Sequence, residues 1–483
     1  MINVDLVTAE AHDRKMTTSL RYAPTTRLES LWSDVGGSPT HLDRVTTGEP
    51  EPVLPSVFDV TGFAVDTVAV ALLAVAELWA TRTGGDMPTT AIDRRSASAS
   101  FKSDALLRAV GWDLPPIWDP VAGDYRTADG WIRLHTNYPS HRRAALEVLG
   151  TPPIRDSVAD AVRTWIGDDL ESAVVNAGGC AATMRTQESW RAHPAGQATS
   201  NEHPIGVGEP VTIGGHVPDL ATSPEARPLE GIRVLDLTRV IAGPVATRLL
   251  AGYGADVIRI DPPGFEEVGA LLPDMTAGKR CVALDLTSTP DRDRFLELLA
   301  DAHVVVGGLR PGALAALDLD VDSMRGINPS IITVSHDAYG WDGPWSQRRG
   351  FDSLVQMSTG IAATGMAEAG VEHPVPLPAQ ALDHGIGHLL AGATCRALVR
   401  LATTGCASDV RGSLVGAANA VIQAPTPGGL GHPAPLWTDR DTVEAQSAWG
   451  PLRRVPLAGH VNGHEPSWSI EAGPLSLHAA TWS

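Results

Sequence analysis

The stretch GIRVLDLTRVIAGPVATRLLAGYGADVIRID, residues 231–261, decides the fold of this chain. It opens with an apolar run at 232–237 that is typical of a buried strand, followed by a turn at Gly243-Pro244 and a helical pattern at 245–255. A second strand pattern at 256–261 comes directly afterwards. Strand, turn, helix and strand within about thirty residues form a βαβ unit, which requires a parallel sheet with a right-handed crossover.

More strands are predicted downstream, at 281–286, 303–308 and 330–336, with a helical pattern at 291–300. Strands that alternate with helices indicate an open, doubly wound parallel sheet. The turn at 238–244 lacks the GxGxxG spacing that lets a backbone approach a pyrophosphate, so classical NAD binding is disfavoured.

Upstream of this unit, small apolar residues from 59 to 80 predict a long buried helix that ends at Thr83-Gly84. The segment YRTADGWIRL, residues 125–134, places Asp129-Gly130 between two alternating runs and predicts a β-hairpin. Further helical patterns cover 140–149 and 157–176.

The length of 483 residues exceeds what one hydrophobic core usually supports, so two or more domains are expected. The composition shifts give the predicted boundaries: a loop-rich lead-in at 1–50, a segment with the long helix and a small domain at 51–200, a linker at 201–227, and the parallel-sheet segment at 228–483.

Charge and composition exclude several classes of function. A formal net charge of −19 gives no general attraction for nucleic acid or anionic lipid. The four cysteines show no CxxC pairing, which argues against a disulfide framework or a zinc site. The amino terminus lacks the pattern of an export signal, and the apolar run at 68–80 is too short to cross a bilayer and contains Glu77. We therefore expect a cytoplasmic protein without membrane partners.

Seven stretches resemble, in order, the family III CoA-transferases, which include formyl-CoA transferases, carnitine CoA-transferases and α-methylacyl-CoA racemases. They are GIRVLDLTRVIAGPVATRLLAGYGADVIRIDPP (231–263), GKRCVALDL (278–286), VVVGGLRPGAL (304–314), INPSIITVS (327–335), YGWDGPW (339–345), RGFDSLVQMSTGIA (349–362) and PVPLPAQALDHGIGHLLAGATCRALVRLATTG (374–405).

The N-terminal half resembles the later, smaller part of the same family through its long helix, its TADGWIRL hairpin (127–134) and the segment AGGCAATMRTQESWRAHP (177–194). The resemblance therefore implies a fused and rearranged order of segments. It implies the fold class as well: α/β, with an open Rossmann-like parallel-sheet domain and a smaller α+β domain.

The family places its nucleophilic aspartate just before a long helix that ends in Thr-Gly, and Asp383 occupies the matching place. Position alone favours a simpler alternative, in which Asp383 is only an N-cap. Gly385 and Gly387 are small enough to let a substrate approach the backbone. Asp352 matches an acid that orients or assists the nucleophile, and a role as the cap of the helix that follows it is equally supported.

The first long helix is interpreted as a degenerate copy without a nucleophile. Counting back from Thr83-Gly84 by the spacing of the second copy lands on Gly62, and the nearby Asp59 is out of register.

Coenzyme A is expected on the loops at the carboxyl ends of the strands, as the switch-point rule also predicts. By the resemblance, the residues that line these loops are Ile241, Ala242, Pro262, Leu284, Asp285, Leu286, Thr287, Gly308, Leu309, Arg310, Arg349, Gly350 and Phe351.

Three positions depart from the family. Pro262-Pro263 stands where relatives often have a basic residue, Gly308 replaces a common asparagine, and Ala316 replaces another basic residue. These changes weaken the standard phosphate contacts. The remaining basic candidates for the phosphates are Lys279, Arg280, Arg310 and Arg349.

The resemblance implies a CoA-transferase that moves coenzyme A between two carboxylic acids through an aspartyl anhydride and an aspartyl thioester. The CoA thioester is a substrate, and no permanently bound cofactor is expected. The partners are an acyl-CoA and a carboxylic acid. The family's intertwined dimers imply a homodimer, although fusion of both segment types could complete that interlock within one chain.

Two alternatives stay open. A racemase of the same superfamily needs an acid–base pair that includes a histidine directly after Gly350, where this chain has Phe351; His336 and His384 lie elsewhere in the sequence. The second alternative is a non-catalytic acyl-CoA-binding protein. The glycine-rich segment 425–433 matches either the mobile loop of some transferases or a plain surface loop, which is the commoner explanation.

Overall fold

The computed structural model describes residues 25–47, 52–213, 218–310, 312–424 and 434–483. The glycine-rich segment 425–433 lies outside the described residues.

The N-terminal segment carries, in chain order, α1 (Thr26–Asp34), β1 (Val45–Thr47), α2 (Val60–Thr83), β2 (Thr90–Ile92), α3 (Arg94–Ser100), α4 (Ser103–Leu106), β3 (Arg108–Ala109), β4 (Gly123–Arg126), β5 (Trp131–Leu134), α5 (Pro139–Leu149), α6 (Arg155–Val162), α7 (Gly167–Asn176), β6 (Ala181–Thr183), α8 (Gln187–Ala192), α9 (Pro194–Ala198), β7 (Ile205–Val207) and β8 (Val211–Thr212).

The remainder carries β9 (Arg233–Leu237), α10 (Ala242–Gly252), β10 (Asp256–Asp261), α11 (Leu272–Met275), β11 (Lys279–Ala283), α12 (Thr289–Ala300), β12 (Val304–Gly307), α13 (Val321–Ile327), β13 (Ile332–Asp337), α14 (Asp352–Ser358), α15 (Ile361–Ala369), α16 (Ala381–Thr404), β14 (Cys406–Ala407), β15 (Asp409–Ser413), α17 (Leu414–Ile422), β16 (Val443–Ala445), β17 (Leu452–Arg454) and β18 (His460–Val461).

The large sheet confirms the predicted α/β class. Its strand order is β11-β10-β9-β12-β13-β15-β7, and the neighbouring strands run parallel except at the edge, where β7 pairs antiparallel with β15. The chain leaves β9 towards one edge through β10 and β11, then returns to the other side of β9 with β12. The loops after β9 and β12 therefore diverge at a topological switch point, where ligands of such sheets bind.

Two long helices cross the centre of the protein. Helices α2 and α16 have 24 residues each, and both end at a glycine with a φ of 68°, Gly84 and Gly405, a left-handed conformation that glycine adopts without strain. Gly385 of α16 contacts Phe63 of α2, and further along Gly392 contacts Val70. The two helices therefore run side by side in the same direction.

Helix α2 is long and apolar enough to cross a bilayer by length and composition alone. In the structure, 83% of its most apolar stretch is buried inside the protein, where α16, α1 and α3 cover it. This burial agrees with the prediction of a buried core helix.

The N-terminal segment also contains the expected smaller α+β unit. Strands β4, β5 and β6 form an antiparallel sheet, and the predicted hairpin is confirmed by the pairing of Arg126 with Trp131 across a loop that contains Asp129. Helices α5, α6 and α7 pack on this sheet around a separate apolar core.

Four local predictions differ from the structure. The pattern at 157–176 forms two helices, because Asp129 accepts a hydrogen bond from the Gly167 N–H at 2.9 Å and fixes a new helix start there. Gly243-Pro244 lies within the first turn of α10, where proline is tolerated.

The other two differences concern segments predicted as loops. Within the lead-in, α1 forms because the Thr25 hydroxyl accepts from the Leu28 N–H at 2.9 Å, and Leu31 and Trp32 are buried on the same face. The predicted linker at 201–227 contributes β7 to the edge of the large sheet, since an unpaired edge of β15 offers backbone hydrogen bonds.

Candidate active site

A cavity of about 570 Å³, here the large cavity, lies at the carboxyl ends of the parallel strands. Every residue that the sequence analysis assigns to the loops around coenzyme A borders it, as does Asp383. These residues are Ile241, Ala242, Pro262, Leu284, Asp285, Leu286, Thr287, Gly308, Leu309, Arg310, Arg349, Gly350 and Phe351. The structure thus brings the predicted residues together, and their binding roles stay predictions.

Asp383 is the third residue of α16, and the N-cap of this helix is Gln380. The alternative that Asp383 is the N-cap is therefore wrong. Its side chain is only 8% exposed yet borders the large cavity. Helix starts present backbone N–H groups without helical acceptors, so the first turn of α16 adds partial positive charge next to this carboxyl group.

Asp352 accepts hydrogen bonds from the backbone at the start of α16. Its Oδ2 accepts hydrogen bonds from the backbone N–H groups of Leu382 at 2.8 Å and Asp383 at 3.0 Å, and its Oδ1 accepts from the Gln356 side chain. The Asp352 side chain is fully buried and is not among the described residues that border the large cavity. The geometry therefore supports a positioning role, in which Asp352 caps α16.

Two buried carboxyl groups at the start of α16 have raised pKa values. Burial, then the charges of Asp352 and Asp104, raise the pKa of Asp383 well above its usual value. Burial also raises the pKa of Asp352 to about 6, although it accepts hydrogen bonds from N–H groups. No donor within the described chain hydrogen-bonds to the Asp383 carboxyl. A poorly solvated carboxylate of this kind is more reactive than one in water.

Two glycines near Asp383 serve helix packing, which corrects the prediction that they make room for substrate. A Cβ on Gly385 would lie 2.3 Å from the Phe63 ring of α2, and one on Gly387 would lie 2.7 Å from the Ala242 carbonyl of α10. The two glycines therefore let α16 approach α2 and α10 closely, and they fix the position of Asp383 relative to both.

Two of the four basic candidates for the phosphates are wrong. Lys279 is fully buried, and its ammonium forms an ion pair with Asp236 at 2.9 Å beneath the sheet surface. Arg280 pairs with Asp256 and does not border the large cavity. Arg310 and Arg349 do border it with exposed side chains, so they remain candidates for an anionic group.

The glycine at position 308 has a local explanation. A Cβ there would lie 2.4 Å from Nε2 of His336, whose ring borders the same cavity. Burial lowers the pKa of His336 to about 4, so its imidazole is neutral at pH 7. The imidazole thus occupies the space into which a side chain at 308 would project.

The sequence analysis missed the contribution of the N-terminal segment to this cavity. Tyr138, Ser140 and His141, at and before the start of α5, border it opposite the strand-end loops. The Tyr138 hydroxyl donates to Glu267 at 2.7 Å and joins the two segments. The YRTADGWIRL hairpin just upstream is the nearest feature that the sequence predicts. No local pattern indicates where residues 138–141 pack.

The first long helix carries no carboxyl group in the register of Asp383, since its third residue is Gly62. Asp59 is the N-cap of α2, accepts from the Gly62 N–H at 2.8 Å and forms an ion pair with Arg27 at 2.9 Å. These contacts give Asp59 a structural role. Within the described ranges, no group of three or more His, Cys, Asp or Glu side chains could hold a metal ion.

Part of the chain is similar in sequence to known proteins. Residues 229–435 match the family model described as CoA-transferase family III. The chain is 36% identical over 205 residues to the probable fatty acyl-CoA transferase Rv3272 of Mycobacterium tuberculosis, covering 40% of this chain and 52% of that protein. It is 32% identical over 270 residues to a formyl-CoA:oxalate CoA-transferase of Streptomyces avermitilis, covering 51% and 61% respectively.

Two solved structures align with part of the chain. A crystal structure of Rv3272 aligns with a TM-score of 0.38 at 35% identity, over 41% of this chain and 57% of that one. A CAIB/BAIF family protein from Brucella suis aligns with a TM-score of 0.38 at 26% identity, over 47% and 65%. The chain spans about half to three fifths of the length of these two curated relatives.

Proposed function

We propose that this chain is a CoA-transferase that moves coenzyme A from a thioester to a carboxylic acid, with Asp383 as the covalent carrier. The observation that carries the proposal is the buried side chain of Asp383 in the first turn of α16, which borders the large cavity together with the start of α10. The family match over residues 229–435 supports it.

The first half-reaction uses the carboxylate as nucleophile. A carboxylate oxygen of Asp383 attacks the thioester carbonyl, a carbon–oxygen bond forms, the carbon–sulfur bond breaks, and the CoA thiolate leaves. The thiolate then attacks the Asp383 carbonyl of the mixed anhydride, which gives an aspartyl-CoA thioester and releases the donor acid as its carboxylate. The acceptor acid reverses these two steps, so no oxidant, metal or water is consumed.

The start of α10 supplies the stabilisation that this chemistry needs. Ile241 and Ala242 border the cavity, and a helix start presents backbone N–H groups that suit a developing oxyanion or a phosphate. Arg310 and Arg349 would meet the phosphates at the exposed rim. The remaining predicted residues would enclose the pantetheine arm, and the thioester itself is the substrate, so no resident cofactor is required.

The racemase alternative receives less support from the site. Phe351 stands where that chemistry needs a histidine, and the imidazoles that border the large cavity are poor bases. Burial lowers the pKa of His141 and of His336 to about 4 in each case. Exchange of an α-proton requires one group that removes the proton and a second group that returns a proton on the opposite face. Acyl transfer requires only the carboxylate of Asp383 as nucleophile.

The third alternative, a binding protein without turnover, is separated by a covalent assay. Purified protein is incubated with an acyl-CoA, trapped with hydroxylamine or digested directly, and the mass of the peptide that carries Asp383 is measured. We expect a mass increase in the wild type and none in Asp383→Asn. An Asp293→Asn variant is the matched control, because Asp293 is an exposed carboxylate on α12 that does not border the large cavity. Labelling that survives Asp383→Asn would refute the proposal.

The assembly and location of the enzyme remain predictions. Tyr138, Ser140 and His141 close the cavity from within the same chain. This supports the rearranged order in which one chain rebuilds an interlocked unit. Light scattering of the purified protein tests the predicted homodimer, and fractionation of cells tests the predicted cytoplasmic location.

A further inference from the structure

A second cavity of about 230 Å³, here the small cavity, meets the large cavity at Asp383. The two cavities share Val240, Ile241, Phe351 and Asp383 as wall residues. The remaining walls of the small cavity come from the N-terminal segment, from the stretch just before α16 and from Leu271. The Asp383 carboxyl group is therefore bordered by two separate spaces.

We infer that the small cavity holds the acyl group during transfer, and that it selects short dicarboxylic acids whose far carboxylate meets the ammonium of Lys102. The inference rests on the proposed transferase function, in which coenzyme A occupies the large cavity. It adds the class of acid to that function.

The size of the small cavity limits the length of the acid. Because a water molecule takes up about 30 Å³, a space of this volume accommodates about eight groups of that size. If each non-hydrogen atom of the acyl group takes about the space of one water molecule, a succinyl or glutaryl group fits in the small cavity. A long fatty acyl chain has about twice as many and would have to leave the cavity.

Lys102 supplies a cation to the small cavity, and its charge, after the hydrogen bond from His384, helps to lower the pKa of Asp104 in the same wall. Its side chain is half-buried in the cavity wall, and its Nζ donates one hydrogen bond, to the Pro378 carbonyl at 2.7 Å. Across the part of the chain that the structure describes, no carboxylate lies within 4.0 Å of this ammonium to form an ion pair. Since an ammonium has three donors, two remain for a ligand.

His135 forms an aromatic part of the wall of the small cavity. Its imidazole is 4% exposed, borders the small cavity and stacks on Phe351 with the ring centroids 3.6 Å apart. Among the described residues, no hydrogen-bond partner exists for its Nδ1. The Nδ1 atom has almost no accessible surface, so His135 contributes to the cavity wall through its ring.

Two other charges face this space and limit how an anion can sit in it. Asp104 borders the cavity, and its Oδ1 lies 3.4 Å from Nε2 of His384, which holds it on the α16 side. Asp383 is the second. An acid anion is repelled by both, so its stable orientation places the reacting carbonyl at Asp383 and the far carboxylate at Lys102.

The test compares three thioesters with the wild type and with variants at Lys102. Succinyl-CoA and hexanoyl-CoA carry acyl groups of similar size but only the first has a far carboxylate, and palmitoyl-CoA exceeds the cavity. We expect the wild type to label Asp383 fastest with succinyl-CoA and at least about a hundredfold more slowly with palmitoyl-CoA. Lys102→Met keeps the alkyl stem, and we expect it to lower kcat/KM for succinyl-CoA about tenfold or more while hexanoyl-CoA is unaffected.

Two controls make the outcome specific. Lys102→Arg keeps the charge and should retain most of the preference for succinyl-CoA, and Arg143→Met removes an exposed positive charge from α5 without touching either cavity. Equal rates with palmitoyl-CoA and succinyl-CoA, or an equal loss with both short thioesters in Lys102→Met, would overturn the inference and leave the transferase intact. If no thioester labels Asp383, the proposed function itself fails.

Discussion

Replacing Asp383 by Asn removes a buried ionisable group while keeping its shape, and this should stabilise the protein. Burial and the neighbouring charge of Asp352 raise the pKa of Asp383 in the folded state, whereas the unfolded chain has an ordinary carboxyl pKa. One pKa unit of difference corresponds to about 1.4 kcal/mol. Burial of a polar group without a hydrogen-bond partner generally costs about 1–3 kcal/mol, so we expect Asp383→Asn to gain stability of that order in the neutral range and to lose transferase activity.

The sign of the pH dependence follows from the direction of the pKa shift. Below the unfolded pKa both states of the wild type are protonated at this position, so the variant and the wild type should be equally stable. As pH rises towards the folded pKa, the unfolded state releases its proton first and the wild type loses stability. The advantage of Asp383→Asn should therefore grow with pH and then level off.

Thermal and urea unfolding across a pH series measure this effect. For a chain of this length the unfolding entropy is about 1 kcal/mol per degree, so the expected rise in Tm is about 1–3 °C. Asp293→Asn serves again as the exposed control and should show no pH-dependent gain. An advantage of Asp383→Asn that is the same at every pH, or a loss of stability at neutral pH, would refute the reasoning about the buried carboxyl group.

Three further predictions test the surroundings of the site. Gly308→Asn should lower Tm because its Cβ would collide with His336, and adding His336→Ala should restore Tm; a fully stable single variant would contradict the packing. Gly387→Ala should lower the free energy of unfolding by about 1–3 kcal/mol because it forces α16 away from α10. Gly326→Ala is the control, because a Cβ there meets open space, and it should not lower that free energy. Equal effects of the two variants in urea unfolding would contradict the close approach of α16 to α10. The kcat/KM for the donor thioester should rise with pH from the acid range into the neutral range as Asp383 ionises, and a flat profile would mean that another group attacks.

The parallel sheet could be predicted because its signals are local. Short local patterns predict the strands β9, β10, β12 and β13 and the helices between them. The rule that such crossovers are right-handed then restricts the topology. The C-terminal ends of α2 and α16 are also predictable from sequence, because Gly84 and Gly405 adopt the left-handed conformation that ends a helix.

The walls of the site could be predicted only on one side. Ile241, Leu284 and the other strand-end residues follow from the topology, since the carboxyl ends of parallel strands meet at one edge. Tyr138 and Lys102 lie far away in sequence and reach Asp383 only through the packing of the N-terminal segment on the sheet. No periodicity or motif encodes that arrangement.

The wrong residue roles share one physical cause. Gly385 and Gly387 resemble substrate-approach glycines in sequence, yet their neighbours Phe63 and Val245 come from other helices and decide their function. Lys279 is likewise a phosphate candidate by type, and its burial against the sheet becomes visible only when the fold is known. Residue type and spacing suggest which role a side chain can have. Burial and contacts with residues distant in sequence decide whether the side chain can reach a substrate.

The central claim, that Asp383 carries the acyl group covalently, is tested most directly by tracing oxygen. An acceptor acid labelled with heavy oxygen in its carboxyl group is turned over with a CoA thioester, and the peptide that contains Asp383 is weighed. If the acid attacks an aspartyl thioester, one of its oxygens must remain in the Asp383 carboxyl group, so that peptide should gain the mass of heavy oxygen. Turnover that leaves the Asp383 peptide unlabelled would contradict the account.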